Sequence, residues 1–346
     1  MASPIFNHLL FPFLVAMFLA INMGGSGTGP SFALAFGSGV IRKNKIPGLF
    51  GIMVFFGAII AGKATATTIG SEIIDAGRLN YAVTTVILFS IAISLFLANL
   101  LGIPQSTSQS TVLSISGASL YYHEFNSKKL LLEIVPTWLI LPFIAYFVCY
   151  FSGKYIYNPL RKKGVFLSAT VNNHPVIKIL IIATSLYVAF SIGANNVANA
   201  AGPIAMMSIN ELGVHPTESN YVFIIILTTL LIAPNFGIGS SLFGYKILKH
   251  TGKDIIMLGK IEAVIIAFVS ASLLLAASIF KGIPSSLVQV NVAAILGIGV
   301  AKLGAKNIFK KTHVNRFFIV WVIAPAIAFL LTILGLHLLE YLVSTN

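Results

Sequence analysis

Carboxylates are scarce in this chain, with nine Asp and Glu among 346 residues against twenty-two Lys and Arg. No paired carboxylates stand ready for acid–base work, and neither a nucleophile elbow nor a phosphate-cradling loop is present, which argues against an enzyme. The single cysteine, Cys149, lies in an apolar run and excludes both a disulfide framework and a thiolate metal site. The seven histidines share no ligand spacing, so no metal centre and no cofactor are expected. Charged residues of either sign make up only 9% of the chain.

Apolar residues fill the space that charge leaves. They reach 57%, and the mean hydropathy of +0.94 is more than one soluble core can bury. Apolar stretches around 46–62, 83–101, 131–152, 221–243, 261–280 and 317–337 each approach the roughly 20 residues that cross a bilayer. The segment from Phe6 lacks a basic n-region and a small-residue cleavage site, and is read as a retained first span. The fold class is therefore an all-α polytopic membrane protein with the lipid bilayer as its solvent. The formal charge of +13 sits in short connectors between spans, which points to cytoplasmic anchoring rather than to nucleic acid.

Three landmarks recur in order. "AINMGGSGTGPS" (20–31) aligns with "AFSIGANNVANA" (189–200) at an offset of 169, pairing Ser26 with Asn195 and Gly27 with Asn196. "GIPQSTSQSTVLSISG" (102–117) aligns with "GIPSSLVQVNVAAILG" (282–297) at an offset of 180, and "WLILP" (138–142) with "WVIAP" (321–325) at 183. Residues 1–152 and 176–346 thus read as two repeats joined by a connector at 153–175.

Charge orients them, because Lys and Arg collect on the cytoplasmic side. The connector after the first motif carries Arg42, Lys43 and Lys45, whereas its counterpart carries Glu211 and Glu218. The next two connectors reverse the bias: 63–81 is balanced where 245–260 is basic, and 123–129 is mixed where 302–316 is basic. Partners on opposite sides require an odd number of crossings per copy. Five segments each, about ten in all, give inverted repeats with both termini outside the cytoplasmic (inner) membrane. Those beginning at Pro104 and Pro284 either span or re-enter. Such repeats with broken helices meeting at the midplane are an architecture of secondary transporters.

Each motif predicts a ligand contact. The glycines and asparagines of "SIGANNVANAAGP" (191–203) read as an interruption lining a wet cavity, where Gly193 and Gly202 permit positive φ and the asparagine amides offer donors and acceptors. Pro104 and Pro284 precede Ser and Thr as at helix starts, whose free N–H groups attract anions. Ser106, Thr107, Ser108, Ser285 and Ser286 add hydroxyl donors. Glu262 is the acid placed deepest in a span and a candidate for coupling.

"GANNVANAAGP" resembles the signature of the inorganic phosphate transporter (PiT) family, usually Gly-Ala-Asn-Asp-Val-Ala-Asn, and "GIPQSTSQ" resembles its Gly-x-Pro-x-Ser-Thr-Thr signature. That resemblance implies an inverted-repeat carrier, often a homodimer, moving a tetrahedral oxyanion with a coupling cation, H+ or Na+. It assigns substrate contact to the hydroxyl residues just named, to Asn195 and Asn196, and to the aligned Ser26, Gly27 and Thr28 of the first copy. It assigns cation or gate contact to Asn22, Gln109, Ser191, Asn199 and Gln289. The family typically has Asp where this chain has Gly27 and Asn196. Sulfate, fully ionised near neutral pH, brings only acceptors and suits a site of donors without a carboxylate. The chain therefore looks most like the sulfate permease branch. Phosphate and thiosulfate are the alternative substrates, and an anion channel is the alternative mechanism.

Overall fold

The computed structural model describes residues 4–101, 105–163, 174–215, 217–251, 259–309 and 312–345, and these are helical almost throughout. The first copy contains α1 (Pro4–Gly37), α2 (Ile46–Ala61), α3 (Lys63–Thr67), α4 (Tyr81–Leu101), α5 (Thr107–Tyr121) and α6 (Val135–Phe151). The second contains α7 (Pro175–Asn196), α8 (Ala198–Glu211), α9 (Glu218–Ile232), α10 (Pro234–Thr251), α11 (Lys260–Lys281), α12 (Leu287–Leu303) and α13 (Thr312–Ser344). Among the described residues, eight helical stretches are long and apolar enough to cross a membrane. The remaining two segments are α5 and α12, of 15 and 17 residues. At 1.5 Å per residue they run about 22 and 26 Å, short of a hydrocarbon core of about 30 Å.

Packing repeats between the copies. α1 packs on α4 as α7 packs on α11, and α5 packs on α13 as α12 packs on α6. α1 lies along α10, while α7 and α8 lie along α2 and α3. The polar contacts gather the connectors at two ends. At one, Lys63 pairs with Glu218, Arg78 with Glu124, and Lys129 with both Glu72 and Glu133. At the other, Lys43 lies over the Tyr245 ring, Lys246 donates to the Leu100 carbonyl, and Lys302 pairs with Glu262. Much of the basic connectors at 153–175, 245–260 and 302–316 lies outside the described residues.

Neither glycine-rich motif breaks its helix. α1 runs unbroken through "GGSGTGP", and α7 passes into α8 with only Val197 between them, itself helical at φ −60°, ψ −34°. The expected interruption fails because close packing uses the glycines. A Cβ on Gly24 would stand 2.2 Å from the Phe236 carbonyl oxygen, and one on Gly239 would stand 1.8 Å from that of Ile21. Gly193 and Gly57 make the same reciprocal notch between α7 and α2, at 2.0 Å from Val54 O and 1.9 Å from Phe190 O. Gly193 and Gly202 are not among the positive-φ residues, so the freedom predicted for them is unused. Hydroxyls of Ser26, Thr28 and Ser31 bond back to carbonyls of their own helix, which satisfies them within the bundle.

Candidate functional site

Two helix starts face each other inside the bundle. Ser106 caps α5 from an extended conformation (φ −84°, ψ 105°), and its Oγ accepts from the Gln109 N–H at 3.2 Å. Ser286 caps α12 in the same way (φ −94°, ψ 104°), accepting from the Gln289 N–H at 3.3 Å. A hydroxyl used as an acceptor keeps its own hydrogen to donate. The N–H groups of Thr107, Ser108, Leu287 and Val288 occupy the first helical positions, which have no acceptor within their helix. Both starts therefore present donors and a partial positive charge.

Local features hold them there. α11 ends at Gly282, in the left-handed region at φ 60°, with the Ile283 N–H returning to the Ala277 carbonyl. The chain then leaves helical geometry until Ser286, and the Trp138 indole N–H pins the Pro284 carbonyl at 2.8 Å. The corresponding Pro104 lies outside the described residues. Between the two starts, the Gln109 and Gln289 carboxamides exchange hydrogen bonds of 3.0 and 2.8 Å.

Beside this junction lies a small cavity of about 10 Å³ with polar and apolar walls. That is room for one water. Its walls are Gln105, Ser106 and Thr107 at the start of α5, and Ser286, Leu287 and Val288 at the start of α12. α1 closes it with Ser26, Gly27 and Pro30, and α7 with Ile192 and Asn196. Among the described residues, no carboxylate lines it. Asn196 Nδ2 donates to Thr107 Oγ1 at 3.0 Å, while its Oδ1 is buried without a partner.

Of the sequence-predicted contacts, Ser26, Gly27, Ser106, Thr107, Asn196 and Ser286 reach the cavity wall. Asn195 stands behind it with its amide fully used: Oδ1 accepts from Ser108 Oγ and the Ser285 N–H, and Nδ2 donates to Ser278 Oγ and the Ile283 carbonyl. Ser108 and Ser285 belong to that brace. Thr28 and Ser191 donate to carbonyls of their own helices. Asn22 donates to the Phe18 carbonyl and accepts from Asn99, and Asn199 donates to Ser108 Oγ at 3.3 Å. The Oδ1 atoms of Asn99 and Asn199 are buried and unpaired.

Glu262 lies far from the cavity. It lies in the first turn of α11, bonded to the Gly259 N–H and to Lys302 at 3.1 Å. Ser278, which reaches the Asn195 brace, is sixteen residues further along the helix, about 24 Å away. Burial of an acid here serves a cap and an ion pair. Sequence reasoning also missed Gln105, which lines the cavity and is 1% exposed. The available signal was its alignment with the much shorter Ser285.

The model of the phosphate transporter family matches residues 23–332. The chain is 33% identical over 314 residues to the sulfate permease CysP of Bacillus subtilis, covering 90% of this chain and 82% of that protein. It is 25% identical over 395 residues to a Pyrococcus abyssi protein named as a phosphate permease, covering 94% and 96% of the two chains. A solved sodium-dependent phosphate transporter superposes with a TM-score of 0.81 over 97% of this chain and 99% of its own, at 22% identity, a likeness of fold.

Proposed function

This chain belongs to the phosphate transporter family, whose members are transporters rather than enzymes, and we propose that it is a secondary active importer of sulfate across the cytoplasmic membrane. The observation that carries this reading is the cavity between two opposed helix starts, where Ser26, Gln105, Ser106, Thr107, Asn196 and Ser286 supply hydroxyl and amide groups and no described lining residue is a carboxylate. A carboxylate beside the ligand would repel a dianion strongly in a poorly screened space. Gly27 and Asn196 stand where such an acid is usual in the family, and the similarity to a sulfate permease supports the same substrate.

The size of the cavity supports carrier action. A five-atom oxyanion does not enter about 10 Å³, so the helix starts must part to admit it and close behind it. An open channel would have no need of this. Inverted repeats supply such a motion, one copy rocking against the other about the shared Gln109–Gln289 contact.

Import of a dianion against a negative interior costs about 2.3 kcal/mol per charge per 100 mV, so a cation must accompany it. H+ and Na+ are the candidates. Na+ is the better match, because the buried, unpaired oxygens of Asn99 and Asn199 suit it and no acid lines the cavity. A homodimer, implied by the family likeness, completes the proposal.

Phosphate is the second reading, favoured by the relatives named as phosphate permeases. Labelled sulfate offered to proteoliposomes under an imposed Na+ or pH gradient tests the choice. Accumulation above the external concentration, resistant to excess phosphate, is expected. Equilibration alone would mean a channel, and uptake of phosphate in its place would mean a phosphate carrier.

A further inference from the structure

Gln105 is the least satisfied polar side chain on the cavity wall. It is 1% exposed, its Oε1 has no hydrogen-bond partner, and its Nε2 makes one bond, to the Ser94 carbonyl, at 3.3 Å. That distance exceeds the usual 2.7–3.2 Å range for N–H···O bonds. Such a group normally finds partners, and an exception calls for a reason. The acceptor is the main-chain carbonyl of Ser94, inside α4, where the helix ladder offers it an N–H of its own.

Its counterpart gives the contrast. The two helix starts match at the caps and at the paired glutamines, yet Gln105 aligns with Ser285, whose N–H and Oγ are both committed to neighbouring groups. Only one of two matched positions therefore carries a long amide on the cavity. The two starts also differ where Thr107 aligns with Leu287, and a site so uneven can hold its ligand in one orientation.

We propose that Gln105 is a further oxyanion ligand and a selectivity determinant, turning its carboxamide from Ser94 to donate through Nε2 to the bound anion. This rests on the oxyanion reading given above and names a residue that reading does not contain. The terminal torsion of a Gln side chain is broad, so the turn is open to it, and what it gives up is one long hydrogen bond. Asn196 can make a companion adjustment that exchanges the Thr107 hydroxyl donor for an amide one. Thr107 Oγ1 can donate to the Asn196 oxygen in place of accepting from its nitrogen, which frees the amide N–H for the anion. Amides at these two places can serve as donors to sulfate, which has only acceptors. Carboxylates there would accept only, and would suit an oxyanion that still carries a proton.

The test is uptake of labelled sulfate by proteoliposomes of the full chain carrying Gln105→Leu or Gln105→Glu, with melting temperature measured in parallel. Gln105→Leu should raise the half-saturating sulfate concentration about tenfold, the effect of one lost bond to a charged ligand, with maximal rate and melting temperature close to wild type. Gln105→Glu should abolish sulfate uptake at neutral pH and recover it as the medium is acidified, because a protonated carboxyl can donate. Phosphate should compete better in that variant than in the wild type. A purely structural role would lower folded protein or maximal rate without moving half-saturation or the pH profile. Should Gln105→Leu fail to fold, the isosteric Glu variant decides: a wild-type pH profile and unchanged phosphate competition overturn the proposal. Wild-type protein that takes up no sulfate would instead sink the functional reading itself.

Discussion

The carboxamides of Gln109 and Gln289, 180 residues apart in the chain, bond each other reciprocally where the two helix starts meet. Each is the residue whose backbone N–H a capping serine accepts. One residue type thus closes its own helix turn through the main chain and joins the two copies through the side chain.

Replacing one member, as in Gln289→Leu, leaves the other amide buried with both groups unpaired, at a cost of about 1–3 kcal/mol for each. Replacing both removes the orphan. The double variant Gln109→Leu/Gln289→Leu should therefore be less destabilised than the sum of the singles. Melting curves of the purified protein measure this, and simple additivity would show that the pair is not coupled.

Asn196→Asp should impair sulfate uptake, since an ionised carboxylate on the cavity wall opposes a dianion. The same variant can accept the proton that hydrogen phosphate carries, so phosphate uptake should rise from its wild-type level as sulfate uptake falls. Unchanged sulfate transport by a well-expressed variant would place Asn196 away from the substrate.

Glu262→Gln should change stability rather than coupling. The variant keeps a side-chain acceptor but loses the charge opposite Lys302, a cost of about 1–3 kcal/mol. Lower yield or melting temperature is expected, with the pH profile of uptake in surviving protein unmoved. A shifted profile would return Glu262 to the transport path.

The clustering of Glu72, Glu124, Glu133, Glu211 and Glu218 through their ion pairs and hydrogen bonds marks the outer end of the bundle if basic connectors face the cytoplasm. In a Cys149→Ala background, a cysteine placed at His215 should be labelled from outside and one at Lys306 only from inside. The reverse, or both on one side, would refute inverted copies.

What could be read from sequence follows the range of the interaction concerned. The helix starts were legible to within about two residues because capping is local: Pro followed by Ser marks the place. The pattern puts Pro284 in the first turn, whereas the structure puts it two residues before the Ser286 cap. The positions of Asn196, Ser26 and Gly27 followed from alignment of the repeats. The continuity of α1 through its glycines was not legible, because local propensity points to a break and the deciding contact is with α10, more than two hundred residues away. The bracing contacts of Asn195 were not legible for a similar reason. Nothing local reveals that Ser108, Ser278, Ile283 and Ser285 between them consume all of its hydrogen-bonding capacity. Glu262 read as an intramembrane acid because its partner, Lys302, lies forty residues on.

The half-saturating sulfate concentration of Ser106→Ala, Ser286→Ala and the double variant tests most directly that the two opposed helix starts hold the anion. Each change removes a hydroxyl donor to a charged ligand, a loss of about 1.5–3 kcal/mol, so half-saturation should rise roughly ten- to a hundredfold in each single variant and further in the double. Loss of the cap itself, about 0.5–2 kcal/mol, should appear separately as a lower melting temperature. Wild-type half-saturation in the double variant, with folded protein in the membrane, would contradict the account.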